Sequence, residues 1–227
     1  MTASELRPAI TIDTGRDPDA SVIWMHGLGD TGHGWSQVVP ELALPASLRV
    51  RFLFPHAPSM PVTINQGDVM PAWYDIRAAD LTSRADLAGV GASRTRIEAM
   101  IAAERARGVA ASRIVLAGFS QGGVIALHTG LRHAEPLAGI VGLSTYLVDP
   151  GSLAAEASGA NRGVPILMAH GLHDPVIRYE WAEASRAALE RGGWKVEWHA
   201  YPMEHEASHA EVRAVGDFLA RVLAAPP

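Results

Sequence analysis

The chain has 227 residues, 48% of them hydrophobic, and a formal net charge of −5 at pH 7. A chain of this length buries enough surface to fold as one large domain without disulfide or metal cross-links. The absence of cysteine excludes a thiol nucleophile and a thiolate zinc site, and the scattered arginines predict no nucleic-acid binding.

Short apolar runs alternate with longer helical stretches along the chain. The runs predict strands at residues 9–14, 22–26, 49–54, 113–117, 139–143, 166–169 and 195–201. Most of them are apolar almost throughout, which is typical of strands that are covered on both faces. The longer stretches predict helices at residues 35–42, 93–107, 121–131, 180–191 and 208–222, with Ser93 as an N-cap.

This alternation predicts an α/β fold with a mostly parallel central sheet and helices on both faces. No break in composition divides residues 1–227, so we expect a single domain without a large cap. Two irregular segments, residues 55–80 and 149–165, interrupt the alternation. Long connections inside a compact domain are usually functional, so both segments are candidates for lids or binding loops.

The N-terminal segment gives no sign of export. Residues 1–15 lack an apolar core of signal-peptide length, and no apolar run approaches the roughly 18 residues of a membrane span. We therefore expect a soluble protein of the cytoplasm that makes no integral membrane contact.

A candidate nucleophile lies in Gly118-Phe119-Ser120-Gln121-Gly122, which fits the pattern G-x-S-x-G. The segment follows an apolar predicted strand and opens an apolar predicted helix. A turn this sharp strains the serine backbone and requires small neighbours on both sides, which Gly118 and Gly122 provide. We therefore predict that Ser120 is a nucleophile at the carboxyl edge of the sheet. The alternative is a glycine-rich turn in which Ser120 only caps the helix.

A serine hydroxyl needs a general base, and an acid must orient that base. In this fold type the chain order is serine, acid, histidine. Asp174 comes soon after the predicted strand at 166–169, so we predict that it is the acid; the alternative is a turn residue. Asp149, after the preceding strand, is the rival, although Pro150 and Gly151 beside it favour a turn.

The histidines after Asp174 differ in their position relative to the last predicted strand. His199 lies within that strand, and His209 lies about one turn into the final helix. His205 lies in the loop between them, so we predict that it is the general base. The segment from His205 to His209 also fits the zinc-protease pattern H-E-x-x-H. Because Pro202 delays the helix start, His205 lies outside the helix, and we expect no metal.

Attack on a carbonyl group places negative charge on its oxygen, which backbone N–H groups stabilise. One donor is expected directly after the nucleophile, at Gln121, and the other in the loop after an early strand. The loop after the strand at 22–26 is rich in glycine, which allows the backbone to approach a substrate closely. Leu28 is our candidate donor there, and the alternative is an ordinary glycine-rich turn.

Together these segments resemble the carboxylesterase/acyl-protein thioesterase family, also described as phospholipase/carboxylesterase proteins, of the α/β-hydrolase fold. The segments that carry the resemblance are, in family order, residues 26–35 (HGLGDTGHGW), 61–65 (PVTIN), 72–75 (AWYD), 118–123 (GFSQGG), 170–171 (HG) with 174–175 (DP), and 201–203 (YPM) with His205. The resemblance implies that Ser120, Asp174 and His205 form a catalytic triad. It also implies that Leu28 and Gln121 are the oxyanion donors and that no cofactor is needed.

The irregular segment 55–80 includes a part that resembles the family's loop over the acyl site. Trp73, Met70 and Tyr146 are therefore expected to line an apolar groove for an acyl chain. For Trp73 the alternative is that it anchors its own loop to the core. Two residues, Glu204 and Arg178, depart from the family pattern and leave the substrate preference open.

The resulting prediction is a serine hydrolase that cleaves short- to medium-chain carboxylic esters through an acyl-enzyme. Its partner is then a small acyl ester. The alternatives are an acyl-protein thioesterase that acts on a lipidated protein, a lysophospholipase that acts on a lysophospholipid, and a ligand-binding module without catalysis. The sequence leaves open whether the protein is a monomer or a homodimer.

Overall fold

The computed structural model describes residues 8–78 and 85–224. Its strands are, in chain order, β1 Ile10–Asp13, β2 Ala20–Met25, β3 Val50–Phe54, β4 Ser59–Val62, β5 Asp68–Pro71, β6 Ile114–Phe119, β7 Gly139–Leu143, β8 Ile166–Gly171 and β9 Val196–Tyr201. Seven of them form one sheet in the order β1-β3-β2-β6-β7-β8-β9, in which only β1 is antiparallel to its neighbour. These are the seven strands predicted from the sequence.

The helices cover both faces of this sheet. They are α1 Gly32–Ser36, α2 Leu87–Ala106, α3 Gln121–Arg132, α4 Leu153–Glu156, α5 Tyr179–Arg191 and α6 His209–Val222. Because side chains alternate along a strand, Ile23 and Met25 of β2 pack with α2, α3 and α5, whereas Val22 and Trp24 pack with α6. The predicted fold class, a mostly parallel sheet between two helical layers, is confirmed.

Two predicted helices differ from the structure, one by an interruption and the other in its start. The helix predicted at 35–42 is α1 followed by a separate 3₁₀ turn at Val39–Leu42, because Pro40 has no N–H to continue an α-helix. The prediction that Ser93 caps α2 is wrong, since α2 begins at Leu87. Ser93 is fully buried, and its hydroxyl donates a hydrogen bond to Trp73 O.

The irregular segment 55–80 contains an antiparallel hairpin of β4 and β5 that lies outside the main sheet. Residues 79–84, at the end of that segment, lie outside the described residues. The segment 149–165 forms α4 and short 3₁₀ turns. Within the part of the chain that the structure describes, no helix is sufficiently long and apolar to cross a membrane.

Candidate active site

Ser120 lies in the turn between β6 and α3, at the carboxyl edge of the sheet. Its backbone has φ 53° and ψ −120°, a strained conformation for a residue other than glycine. The turn can close because a Cβ on Gly118 would run into the backbone of Gly122. Ser120 N–H donates to Leu143 O at 2.8 Å, and Thr145 Oγ1 donates to Ser120 O at 2.8 Å. The end of β7 therefore holds the strained turn in place.

The structure brings Ser120, Asp174 and His205 together. His205 Nε2 is 2.9 Å from Ser120 Oγ, and His205 Nδ1 is 2.7 Å from Asp174 Oδ2. The three residues follow β6, β8 and β9, and the carboxyl ends of parallel strands meet at one edge of a sheet. The Asp174 side chain is fully buried, whereas that of His205 is 17% exposed. A substrate can therefore reach the serine and the histidine while the acid stays out of contact with water.

Three hydrogen bonds hold the carboxylate of Asp174. Its Oδ1 accepts from the N–H groups of Val176 and Ile177 at 2.8 Å each, and its Oδ2 is the partner of His205. Burial alone would raise the pKa of Asp174, but the hydrogen bonds from His205 and from these N–H groups outweigh it and hold that pKa below its ordinary value. Asp174 is thus ionised at neutral pH and can stabilise a positive charge on His205.

His170, near the end of β8, supports the same loop. The sequence analysis used it only as part of the family resemblance and assigned it no function. Its Nε2 donates to Ile177 O at 2.8 Å and lies 3.4 Å from Asp174 Oδ2. Burial lowers the pKa of His170 and outweighs the hydrogen bond to Ile177, which acts in the opposite direction, so the ring is neutral near pH 7. The ring therefore positions the Asp174 loop without adding charge. Its signal in the sequence was its place four residues before Asp174.

The rival acid, Asp149, lies away from the serine. It lines a separate groove beside α2 and α3, together with Glu98 and His128. Its backbone has a φ of 48°, as expected for a turn residue. The structure thus brings Asp174, not Asp149, to His205.

The other two histidines after Asp174 are engaged elsewhere. His199, within β9, lies 3.0 Å from Glu197 Oε1. The side chain of His209 is 91% exposed and lies 2.8 Å from Glu41 Oε2. Because α6 begins at His209, the two histidines of the H-E-x-x-H pattern do not share a helix and do not face one site.

The loop after β2 carries the candidate backbone donor at Leu28. Gly29 N–H donates to Pro71 O at 2.8 Å, and Asp30 N–H donates to Gly27 O at 3.3 Å. Among the described residues, Leu28 N–H has no acceptor. Leu28 lines the same cavity as the serine turn, so its N–H can bind an oxygen of a ligand.

The ring of His26 fixes the direction of that donor. Ala57 N–H donates to His26 Nε2 at 3.0 Å, so the ring proton is on Nδ1, which donates to Gly27 O at 2.7 Å. Gly27 C=O and Leu28 N–H belong to one planar trans peptide and point in opposite directions. Burial lowers the pKa of His26, which keeps this neutral form. Holding the carbonyl therefore aims the N–H, a role that the sequence analysis missed.

Gln121, the second expected donor, opens α3. Since it is the first residue of the helix, its N–H has no carbonyl partner four residues earlier within the helix. Its side chain is used elsewhere, because Oε1 accepts Trp73 N–H at 2.8 Å and Nε2 donates to Tyr74 O at 2.7 Å. Gln121 also lines the cavity, so its backbone N–H lies at the positive end of α3 next to Ser120.

Ser120 and His205 open into a cavity of about 720 Å³. Apolar and aromatic side chains line much of its wall: Leu28, Trp35, Ile64, Tyr74, Ile76, Phe119, Tyr146, Val176, Ile177 and Trp181. Ile64 and Val176 are 42% and 54% exposed, so they lie where the cavity meets solvent. Charged residues line it as well: Asp30, Arg178 and Glu206. The cavity can hold an apolar chain next to the serine.

Of the three residues expected to line an acyl groove, Tyr146 lines the cavity, but Trp73 and Met70 do not. Trp73 is 2% exposed, and its indole N–H donates to His26 O at 2.9 Å. The Met70 sulfur accepts a hydrogen bond from Asn65 Nδ2 at 3.3 Å. For Trp73 the contacts favour the alternative interpretation, an anchor of its own loop.

Known proteins resemble the chain over nearly its whole length. The sequence profile described as phospholipase/carboxylesterase matches residues 8–223. Acyl-protein thioesterase 1 of Neurospora crassa is 40% identical to the chain over 228 residues, which cover 96% of this chain and 93% of the relative.

Solved structures also match the chain over most of its length, at lower sequence identity. Arabidopsis thaliana SOBER1 superposes with a TM-score of 0.85 at 29% identity, over 90% of this chain and 99% of that one. Acyl-protein thioesterase 2 of Zea mays superposes with a TM-score of 0.80 at 28% identity, over 94% of this chain and 99% of that one.

Proposed function

The chain belongs to the phospholipase/carboxylesterase family of α/β-hydrolases, and we propose that it removes acyl groups from thioesters through a covalent acyl-serine intermediate. Family membership makes it a hydrolase that acts on esters or thioesters. The observation that carries the proposal is the continuous line of hydrogen bonds from Asp174 through His205 to Ser120, beside a cavity with apolar walls.

In the first half of the reaction, Ser120 Oγ attacks the carbonyl carbon while His205 Nε2 takes its proton. Asp174 holds the Nδ1–H of the imidazole and stabilises the resulting cation. The carbonyl electron pair moves to the oxygen, where Leu28 N–H and Gln121 N–H stabilise the negative charge. The tetrahedral intermediate then collapses, the carbon–sulfur bond breaks, and the proton on His205 passes to the leaving sulfur.

In the second half, water replaces the departed thiol. His205 takes a proton from that water, and the oxygen attacks the carbonyl carbon of the acyl-serine. The new intermediate breaks the bond to Ser120 Oγ, which regains its proton from His205. The products are a carboxylic acid and the free enzyme, so no proton or electron is left unbalanced.

The relatives favour a thioester substrate over the short- to medium-chain ester expected from the sequence. The relative from Neurospora crassa and the structure from Zea mays are both named acyl-protein thioesterases. The cavity, which Ile76, Ile177 and Trp181 line, suits the apolar acyl chain that thioesters and esters share, so the choice of a thioester rests on the relatives. We therefore propose an acyl group presented on a protein thiol as the substrate.

Replacement of the nucleophile tests the mechanism. Ser120→Ala is expected to lower kcat by about 10⁶ and to abolish labelling by a fluorophosphonate. Ser144→Ala is the matched control, since Ser144 is also a buried serine with positive φ, after the adjacent strand β7. It is expected to keep both activity and labelling. A wild-type protein that forms no adduct would instead be a ligand-binding module.

A panel with one acyl chain tests the substrate. The members are a peptide with a palmitoyl-cysteine thioester, the same peptide with a palmitoyl-serine ester, and palmitoyl lysophospholipid. We expect the highest kcat/KM for the thioester peptide. Preference for the lysophospholipid would make the protein a lysophospholipase. If no member is turned over but short nitrophenyl esters, assayed separately, are cleaved, the protein is a carboxylesterase.

The cytoplasmic location expected from the sequence stays a prediction. Cell fractionation with an antibody to the untagged protein checks it, and recovery outside the cytosolic fraction would contradict it.

A further inference from the structure

Residues 71–74, which start at the last residue of β5, lie between the two loops that carry the proposed oxyanion donors. We call them the bridging segment. One of those loops follows β2 and contains Leu28, and the other is the turn between β6 and α3 that ends at Gln121. Both loops are rich in glycine, so their backbones need outside contacts to keep a fixed relative position.

The first contact joins the bridging segment to Gln121. The side-chain amide of Gln121 accepts Trp73 N–H at 2.8 Å and donates to Tyr74 O at 2.7 Å. These two bonds use both ends of the amide, so only one orientation of the amide group satisfies them. Gln121 is 2% exposed, which protects both bonds from competition with water. The residue with the second backbone donor is thus fastened to the bridging segment.

The second contact joins the bridging segment to the Leu28 loop. Trp73 Nε1 donates to His26 O at 2.9 Å, and Pro71 O accepts Gly29 N–H at 2.8 Å. These bonds lie on either side of Leu28 along the chain. They hold the loop at both flanks while the Leu28 N–H itself stays available.

Contacts outside the two loops hold the bridging segment itself in place. The Ser93 hydroxyl of α2 donates to Trp73 O, and Ala72 N–H donates to Pro58 O at 3.0 Å at the base of the hairpin. Asp75 N–H, directly after the segment, donates to Asp86 Oδ2 at 3.1 Å. A helix and a hairpin therefore fix the position from which Trp73 holds the two loops.

We propose that Trp73, together with the side chain of Gln121, is a positioning element that sets the separation and direction of the two oxyanion donors. This inference rests on the proposed function, because it assigns the stabilisation of the oxyanion to the Leu28 and Gln121 N–H groups. Trp73 then acts on catalysis without touching the substrate.

The expected size follows from the geometry of oxyanion stabilisation. Loss of one oxyanion donor costs about 10²–10³ in kcat, and donors must lie within roughly 0.5 Å of their working position. A loosened loop keeps the donor but misplaces it for part of the time. We therefore expect a loss of about tenfold when the indole N–H is removed.

Trp73→Phe is the first test, with Trp194→Phe as the matched control. Both replacements keep an aromatic ring and remove a buried indole N–H, since Trp194 Nε1 donates to Asn161 O at 2.8 Å near the start of β9, away from the site. Trp73→Phe is expected to lower kcat about tenfold with KM unchanged within about twofold. It is also expected to weaken binding of a trifluoromethyl ketone, which forms a tetrahedral adduct with the serine, by a similar factor. Trp194→Phe is expected to lower the melting temperature alone.

Gln121→Met is a second variant for the same measurements. It keeps the backbone N–H of residue 121 and removes both hydrogen bonds of the side-chain amide. A rise in KM at constant kcat for Trp73→Phe would overturn the proposal in favour of a substrate-contacting wall. An equal loss of kcat in Trp194→Phe would show that loss of a buried indole N–H lowers kcat through general destabilisation, which would also overturn the proposal. Any ester that the wild type turns over can serve as substrate, so a wrong thioester assignment does not affect the outcome. Activity retained in Ser120→Ala would instead refute the proposed function itself.

Discussion

The loop after β8 and the first turn of α6 each bury a carboxyl group, and the two groups behave in opposite ways. Asp174, in the loop, has three hydrogen-bond partners, which hold its pKa below the ordinary value. Glu211, in the helix, is fully buried, and neither of its oxygens has a hydrogen-bond partner among the described residues. Burial raises the pKa of Glu211 to about 8, and the Ser208 backbone N–H opposes that shift without reaching hydrogen-bond geometry.

The difference shows that hydrogen-bond partners, rather than depth, decide whether a buried carboxyl group carries charge. An ionised carboxylate without partners is costly in a medium of low dielectric constant, so Glu211 keeps its proton near neutral pH. The N–H groups around Asp174 replace the water that burial removes. The neutral, unpaired form of Glu211 suits packing. The charged, hydrogen-bonded form of Asp174 suits a group that must stabilise a cation.

Among the carboxyl groups compared, the largest expected effect comes from removing the charge at Asp174. In Asp174→Asn the remaining oxygen can still accept the N–H groups of Val176 and Ile177, so the loop is expected to fold. The new amide N–H faces His205 Nδ1 and favours the tautomer that cannot take the serine proton. We expect kcat to fall about 10⁴-fold, measured on any ester that the wild type turns over.

Asp149→Asn is the control for this prediction. It removes the rival carboxylate, which lines the groove beside α2 and α3, and is expected to leave kcat unchanged. If kcat fell strongly in Asp149→Asn and stayed near the wild-type value in Asp174→Asn, the assignment of the acid would be reversed.

The second effect is a pH-dependent stability that Glu211 creates. Its folded-state pKa of about 8 lies above the ordinary value of 4.5, so the folded state retains a proton that the unfolded state has released between these values. The stabilisation from Glu211 is therefore fully present below about pH 4.5 and is lost as pH rises through about 8. The glutamine of Glu211→Gln carries no charge at any pH. The unfolding free energy of this variant, relative to that of the wild type, is expected to rise by roughly 2–5 kcal/mol from pH 5 to pH 9.

Urea unfolding of both proteins across that pH range measures the gain. The difference between variant and wild type is the quantity to plot, because it cancels the other titrating groups. The kcat of Glu211→Gln at pH 7 is expected to equal that of the wild type. A difference that stays flat with pH would show that Glu211 is already ionised in the folded protein.

The smallest effect belongs to a carboxylate that has a partner but little burial. Asp13 forms two hydrogen bonds with Arg51, at 2.8 and 2.7 Å, and its side chain is 34% exposed. Solvent screens such pairs, so Asp13→Asn is expected to lower the unfolding free energy by less than about 1 kcal/mol. Thermal unfolding at low and high salt measures it. A loss of unfolding free energy clearly above about 1 kcal/mol would contradict the comparison.

Much of the site was predictable because its signals are local. The pattern around Ser120 requires a strand before it and a helix after it, and both are visible as apolar runs in the sequence. Asp174 and His205 could be selected because each follows a strand, and parallel strands bring such positions to one edge. The family resemblance assigned the same residues.

Other parts depended on contacts that no local pattern records. Trp73 was expected in the substrate groove, but its indole N–H is bonded to His26 O on a distant loop. The start of α2 was missed because Gly89 and Gly91 lower the helix propensity of its first turns, which packing restores. His26 and His170 gained positioning roles only once their hydrogen-bond partners were known.

The amino-acid order alone determined the succession of strands and helices, the turn that strains Ser120 and the residue types able to do hydrolytic chemistry. Those properties depend on near neighbours in the chain, such as the spacing of apolar residues and the small side chains beside a sharp turn. Only the tertiary structure decided the orientation of the donors at Leu28 and Gln121, and the charge states of Asp174 and Glu211. Those properties depend on hydrogen-bond partners and on burial away from water. Most of the residues that provide the partners and the burial are far apart in the chain.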